Sequence, residues 1–169
     1  MVERSERESA PAKNRTSVER KSECEMVVRR SFDAPARLVF QAWSQAELFR
    51  QWWVPKSSGM TLLSCEMDVH TGGRYRLEFG RDGAKPMAFF GKYLEVVPDT
   101  RIVWTNEESE NGAVTTVTFE EQGGKTLLVM HERYPSKQAC DESLEGMEEG
   151  MPETFGQLDE FLALRGGRA

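Results

Sequence analysis

A change in the spacing of apolar side chains is the feature that most constrains how this chain folds. Between residues 32 and 55 the large apolar side chains recur at three- and four-residue steps, as in Val39, Phe40 and Trp43, which is typical of helices. From residue 60 to residue 133 apolar and polar side chains alternate instead, which predicts strands. The chain therefore has helices placed before a long run of strands.

The first of these regions predicts two short helices. Pro35 suits the first turn of a helix, where its missing N–H is not needed. Ser44 and Glu47 match the S-x-x-E capping box, which predicts the start of a second helix. The region ends in Trp52 and Trp53.

The alternating region predicts six strands joined by short, glycine-containing turns. We expect these strands over residues 60–69, 73–80, 87–97, 101–107, 113–121 and 125–133. Joints this short link neighbouring strands as antiparallel hairpins. An earlier strand around Met26 and Val28 brings the predicted antiparallel sheet to seven strands.

The last region returns to a helical period. Its apolar stripe consists of Leu144, Met147, Met151, Phe155, Leu158 and Leu162. Pro152 interrupts the stripe, so we expect either a kink near residues 148–152 or a helix that begins only at Pro152. A curved sheet that wraps around this helix would bury the stripe. The predicted fold is therefore α+β, with a cavity between sheet and helix.

Apolar content divides the chain into three parts. Residues 1–22 hold almost no large apolar side chains and are predicted to be a disordered polar tail. Residues 23–164 are predicted to form a single domain, and residues 165–169 a C-terminal tail.

Composition excludes several classes of partner. The net charge of −6 predicts no nucleic-acid binding, because affinity for phosphates needs a basic surface. No apolar run approaches the roughly 20 residues of a membrane helix, and the N-terminus lacks an apolar secretion signal, so we expect a cytoplasmic protein without membrane insertion. The three cysteines are an odd number, which favours reduced thiols over a disulfide scaffold. Cysteines and histidines lack zinc-site spacing, so we expect neither a metal nor a cofactor.

The residue pattern resembles one known superfamily. The matching segments are Phe32-Asp33-Ala34-Pro35, Arg50-Gln51-Trp52-Trp53, Gly72-Gly73-Arg74-Tyr75, Gly91-Lys92-Tyr93, Arg101-Ile102-Val103-Trp104-Thr105 and Gly146-Met147-Glu148-Glu149-Gly150-Met151. The chain is similar over roughly residues 23–164 to the START-like, helix-grip superfamily, also called SRPBCC. Within it, the chain resembles the bacterial AHSA-type family, homologues of the activator of a heat-shock-protein ATPase. The resemblance implies a helix-grip (START/Bet v-like) fold. The chain departs from the family pattern at Met151, where members often carry a tryptophan.

Eight apolar side chains are candidates for the wall of a ligand cavity. They are Trp53, Phe89, Tyr93, Trp104, Met130, Met147, Met151 and Phe155. Thioethers adapt to varied apolar ligands, and this fold leaves space beside its helix. The same side chains could instead fill an ordinary core.

His131 and Tyr93 are the candidates for acid–base catalysis. His131 ends the last predicted strand, where a histidine at a cavity mouth could exchange protons near neutral pH. It could equally be an edge histidine that hydrogen-bonds a loop.

Three functions follow from this reading. The first is binding of a small apolar or amphipathic ligand in the cavity. The second is a cyclase/aromatase-like or hydrolytic enzyme that uses the same cavity, and the third is a cochaperone-like interaction module. Because the sequence has no nucleophile–base spacing, binding is ranked first and the enzyme second, and the cochaperone, which only the resemblance implies, is ranked third. The sequence does not decide whether the chain forms a homodimer.

Overall fold

The described residues form one antiparallel sheet with three α-helices. The structure is a computed structural model and describes residues 15–81, 83, 85–110 and 112–166. Its strands are β1 Ser17–Ser22, β2 Glu25–Phe32, β3 Thr61–Met67, β4 Arg74–Gly80, β5 Met87–Val97, β6 Arg101–Thr105, β7 Val114–Gln122 and β8 Lys125–Arg133. Its α-helices are α1 Ala36–Ser44, α2 Ala46–Phe49 and α3 Lys137–Gly166, and a short 3₁₀ helix covers Lys56–Ser58.

The sheet has eight strands in the order β1-β2-β8-β7-β6-β5-β4-β3. The strands from β3 to β8 run as a meander, and β2 joins its end by pairing antiparallel with β8. The sheet wraps around α3, so the α+β class and the gripped C-terminal helix are confirmed.

The predicted count of seven strands is wrong because β1 forms within the segment expected to be a polar tail. This edge strand pairs with β2, with Ser17 opposite Arg29. Only Val18 among its residues packs against the apolar core. Backbone pairing and surface charges hold the rest, including Arg29 with Glu19 at 2.8 Å. An edge strand of this kind has no hydrophobic pattern to reveal it. The rest of the predicted tail, residues 1–14, lies outside the described residues.

The two short helices form where expected, but the predicted capping box is wrong. Ser44 is the last residue of α1, and one residue, Gln45, separates it from α2. A residue in a helical conformation cannot be the extended N-cap of the next helix. Gln45 takes that position and makes no capping bond through its side chain.

The long helix α3 continues through Pro152. The predicted late start at Pro152 is therefore wrong, because the helix already begins at Lys137. Its apolar stripe is buried at Met151, Phe155, Leu158 and Leu162, in the same core as β2 and α1. Burial of this stripe compensates for the backbone hydrogen bond that a proline removes. The predicted tail of residues 165–169 begins inside the helix, which reaches Gly166.

An aromatic cluster centred on Trp43 joins these elements. Its ring lies 5.0 Å from that of Trp52, 5.9 Å from that of Trp104 and 6.2 Å from that of Phe155, measured between centroids. The Trp52 indole N–H donates to the carbonyl of Ala42 at 3.1 Å, which fixes the chain beyond α2 against α1. The cluster thus connects the helix pair, the sheet and α3.

We expect Trp43→Ala to lower the free energy of unfolding by about 3–5 kcal/mol, because it removes a buried ring from the contact point of three layers. Urea unfolding followed by far-UV circular dichroism would measure the loss. Phe90→Ala is the control, since Phe90 is an exposed aromatic residue of the same sheet. Equal losses for the two variants would contradict the central role of Trp43.

Candidate functional site

A cavity of about 390 Å³ lies between the sheet and the helix pair. The face of β3 to β6 forms one wall, and α1, α2 and the segment after them form the other. Aromatic side chains dominate both walls, among them Trp43, Phe49, Trp53, Tyr75, Tyr93 and Trp104. Strand alternation explains the sheet side, because Tyr75, Leu77 and Phe79 share one face of β4.

The structure brings four of the eight predicted cavity residues together. Trp53, Phe89, Tyr93 and Trp104 all line the cavity. The other four do not line it. They are Met130, Met147, Met151 and Phe155.

Three of these residues belong to α3 and Met130 belongs to β8, and they pack in the apolar core between the helix and the sheet. Phe155 and Met130 are fully or almost fully buried, and Met151 is buried with them. Met147 is half-buried where two core clusters meet. No described side chain of α3 lines the cavity, which therefore lies beside the helix pair and not beside the long helix.

The cavity has one polar end, formed by Tyr75, Asn106 and Glu108. The Tyr75 hydroxyl donates to the carbonyl of Thr105 at 2.7 Å and lies 3.2 Å from Asn106 Oδ1. Burial raises the pKa of both Tyr75 and Tyr93 above the ordinary value. At neutral pH both hydroxyls therefore stay protonated and act as hydrogen-bond donors, not as bases.

The two predicted acid–base candidates lie on different sides of the sheet. Tyr93 lines the cavity. His131 lies between the inward-facing Met130 and Glu132 on β8, so strand alternation places it on the outer face. There its Nε2 is 2.8 Å from Glu25 Oε2. This contact is the first cause of the lowered pKa of the Glu25 carboxyl.

Sequence reasoning did not select several lining residues, such as Tyr75, Leu77 and Asn106, nor the carboxyl group of Glu132, which is connected to the polar end of the cavity by hydrogen bonds. Glu132 is 8% exposed, and burial raises its pKa to about 7. The Thr115 hydroxyl donates to Glu132 Oε1 at 2.7 Å, and Asn106 Nδ2 lies 3.1 Å from that same hydroxyl oxygen. Together with Tyr75, these residues form a polar chain that leads from the apolar cavity to a buried carboxyl. Position 132 has the parity of the inward residues of β8, which would have revealed it.

Two further features bear on the chemistry of the site. Across the described ranges, no three histidine, cysteine or carboxylate side chains lie where they could hold one metal ion. No helix in the described part of the chain is both long and apolar enough to span a membrane.

Comparisons with known proteins identify relatives of the fold. A family model described as activator of Hsp90 ATPase homolog 1-like protein matches residues 33–163. A crystal structure of a protein from Rhodobacter sphaeroides superposes with a TM-score of 0.81 at 21% identity, covering 88% of this chain and 98% of the other. A solution structure of a protein from Staphylococcus epidermidis superposes with a TM-score of 0.76 at 25% identity, covering 88% of this chain and 94% of the other. A crystal structure of a protein from Nitrosomonas europaea superposes with a TM-score of 0.77 at 20% identity, covering 85% of this chain and 96% of the other. No curated protein matches the sequence of this chain.

The raised pKa of Glu132 predicts a pH-dependent stability. In the folded state this carboxyl binds its proton more tightly than in the unfolded chain, whose reference pKa is 4.5. Its stabilising contribution is therefore full below about pH 4.5 and is lost as the pH rises through about 7. We expect the unfolding free energy of the wild type, relative to Glu132→Gln, to fall by about 3 kcal/mol across this window.

Denaturant unfolding of both proteins at several pH values would measure this difference. Subtracting the two curves cancels the other carboxyl groups, including those with a lowered pKa. Glu145→Gln removes an exposed carboxyl of α3 and should show no such trend. A difference between wild type and Glu132→Gln that does not change with pH would contradict the prediction.

Proposed function

We propose that this chain, which belongs to the family of activator of Hsp90 ATPase homolog 1-like proteins, binds a small apolar or amphipathic ligand. The observation that carries the proposal is the cavity of about 390 Å³ between the sheet and the helix pair. Ligand sites in proteins are typically concave, largely apolar and roughly 300–1,000 Å³ in volume. The cavity meets each of these conditions.

The lining supports a ligand with one polar end. Aromatic rings such as Trp53, Phe89 and Trp104 offer apolar contact on both walls. Burying about 200 Å² of apolar ligand surface there would contribute about 5 kcal/mol before the cost of association. Asn106 and Glu108 at the polar end would orient a hydroxyl, amide or amine group of the ligand. We also propose that the protein acts in the cytoplasm, where its free cysteines would stay reduced.

The structure gives less support to an enzyme than to a binding protein. Of the two acid–base candidates, only Tyr93 lines the cavity, and its protonated hydroxyl would polarise a substrate carbonyl without removing a proton. The family description favours a cochaperone-like module as a further candidate. That candidate would be supported if the protein changed the ATPase rate of an Hsp90 homologue, and weakened if it did not.

Filling the cavity should abolish binding. Leu77 is buried on the cavity wall, so Leu77→Trp places an indole in the space that the ligand would occupy. We expect this variant to bind the neutral probe N-phenyl-1-naphthylamine at least about tenfold more weakly than the wild type, a difference of about 1.4 kcal/mol. Fluorescence titration of the probe would measure both affinities.

Leu94→Trp is the matched control, because Leu94 is an exposed residue of the neighbouring strand β5. It makes the same chemical change outside the cavity and should leave the affinity unaltered. Native mass spectrometry of the freshly purified wild type would show whether a cellular ligand stays bound. Equal probe affinities for the two variants would overturn the cavity as the binding site.

A further inference from the structure

Several hydrogen-bond donors on the wall of the apolar cavity already have acceptors within the protein. The Tyr75 hydroxyl donates to the carbonyl of Thr105 at 2.7 Å, and Asn106 Nδ2 donates to the carbonyl of Ala113 at 2.6 Å. The Ser58 hydroxyl, which is also part of the lining, donates to a backbone carbonyl at 2.7 Å. These three side chains therefore have no need of a ligand as an acceptor.

The indole N–H of Trp43, by contrast, has no acceptor. Trp43 lines the cavity and is 2% exposed. Its Nε1 is one of two buried side-chain nitrogen atoms in the described part of the chain that lack a hydrogen-bond partner. An indole N–H can only donate, so the partner that is missing is an acceptor. A buried donor without a partner costs free energy, which an acceptor on a ligand would offset.

Tyr93 provides a second donor on the same wall. It is 5% exposed and lines the cavity, and its hydroxyl forms no hydrogen bond with any described residue. Burial raises the pKa of Tyr93, so the hydroxyl keeps its proton at neutral pH and can donate it. Trp104 adjoins both donors, since it is the strand partner of Tyr93 and its ring lies 5.9 Å from that of Trp43.

The charge of the wall restricts the acceptor to a neutral group. Among the described residues, no lysine, arginine or histidine lines the cavity, whereas the carboxyl group of Glu108 does. An anionic ligand group would lose its water there without gaining a cation. We propose that the ligand carries a neutral carbonyl group, as in a ketone, ester or amide, whose oxygen accepts a hydrogen bond from the Tyr93 hydroxyl, with the Trp43 indole as the second donor.

This ligand class rests on the proposed function, because the same cavity would hold the compound. The apolar lining alone accommodates hydrocarbons and carbonyl compounds equally well. The two donors distinguish them, since a hydrocarbon leaves both donors without a partner and a carbonyl oxygen has two lone pairs to offer. A carbonyl compound is therefore the better complement to this wall.

The test compares three compounds that carry two phenyl rings on one central carbon, namely benzophenone, diphenylmethane and diphenylacetate. Displacement of N-phenyl-1-naphthylamine from the full chain would give the affinity of each. Tyr93→Phe removes the hydroxyl and keeps the ring. We expect it to weaken benzophenone about three- to tenfold, the range of one neutral hydrogen bond, and diphenylmethane less than about twofold. Diphenylacetate should bind the wild type at least about tenfold more weakly than benzophenone, because no cation lines the cavity.

Tyr75→Phe is the matched control, because it makes the same chemical change in the same cavity at a hydroxyl that already has an acceptor. It should change the affinities for benzophenone and diphenylmethane by equal factors. Each compound is compared with itself across the variants, which cancels the difference in apolarity between the two compounds. Thermal unfolding of each variant would show that it is folded.

Equal weakening of benzophenone and diphenylmethane by Tyr93→Phe would overturn the carbonyl proposal. Diphenylacetate that binds as tightly as benzophenone would overturn it as well. In both cases the proposed function would stand, provided that the naphthylamine probe binds the wild type and that Leu77→Trp weakens the probe. If the probe and all three compounds failed to bind, the proposed function would fail, and the carbonyl proposal with it.

Discussion

The contact of Trp43 with three separate layers is the interaction on which the rest of the structure depends. Its ring meets Trp52 from the segment after α2, Trp104 and Phe119 from the sheet, and Phe155 from α3. Aromatic pairs of this kind contribute about 0.5–1.5 kcal/mol each beyond the area that they bury. Among the described residues, no other aromatic side chain contacts as many rings as Trp43. The cluster therefore sets the distance at which the helix pair stands from the sheet.

This distance explains why the apolar cavity lies where it does. The stripe of α3 is already matched by β2 and α1, as the edge-to-face contact of Phe32 with Phe155 shows. The long helix therefore packs its buried stripe directly against its half of the sheet. On the other half, β3 to β6 are covered only by the short helices and the segment that follows them. Two short helices cannot fill the space opposite four strands, and the unfilled part is the cavity.

The order of elements could be predicted from the sequence because each period is a local property. The three-to-four-residue spacing at Val39 and Trp43 and the alternation along β4 to β8 need no knowledge of the partner surface. What a buried face packs against is not local, which is why Met130 and Phe155 were predicted to line the cavity but lie in the core beside α3. The edge strand β1 escaped prediction for a related reason, since backbone pairing and surface charges hold it almost without apolar burial.

One amide group, that of Asn106, stands in a fixed orientation between the polar end of the cavity and the buried carboxyl of Glu132. Asn106 Nδ2 donates to the carbonyl of Ala113 at 2.6 Å, an atom that can only accept. On the other side, Asn106 Oδ1 faces the Tyr75 hydroxyl, whose raised pKa keeps it a donor. Rotating the amide by half a turn would set its oxygen against the carbonyl oxygen of Ala113, acceptor against acceptor, so the contact with Ala113 fixes the orientation. Asn106 thereby links the polar end of the cavity to the buried carboxyl of Glu132 through the Thr115 hydroxyl. A change in the cavity that moved Asn106 would therefore have to break its hydrogen bonds to Ala113 and Thr115.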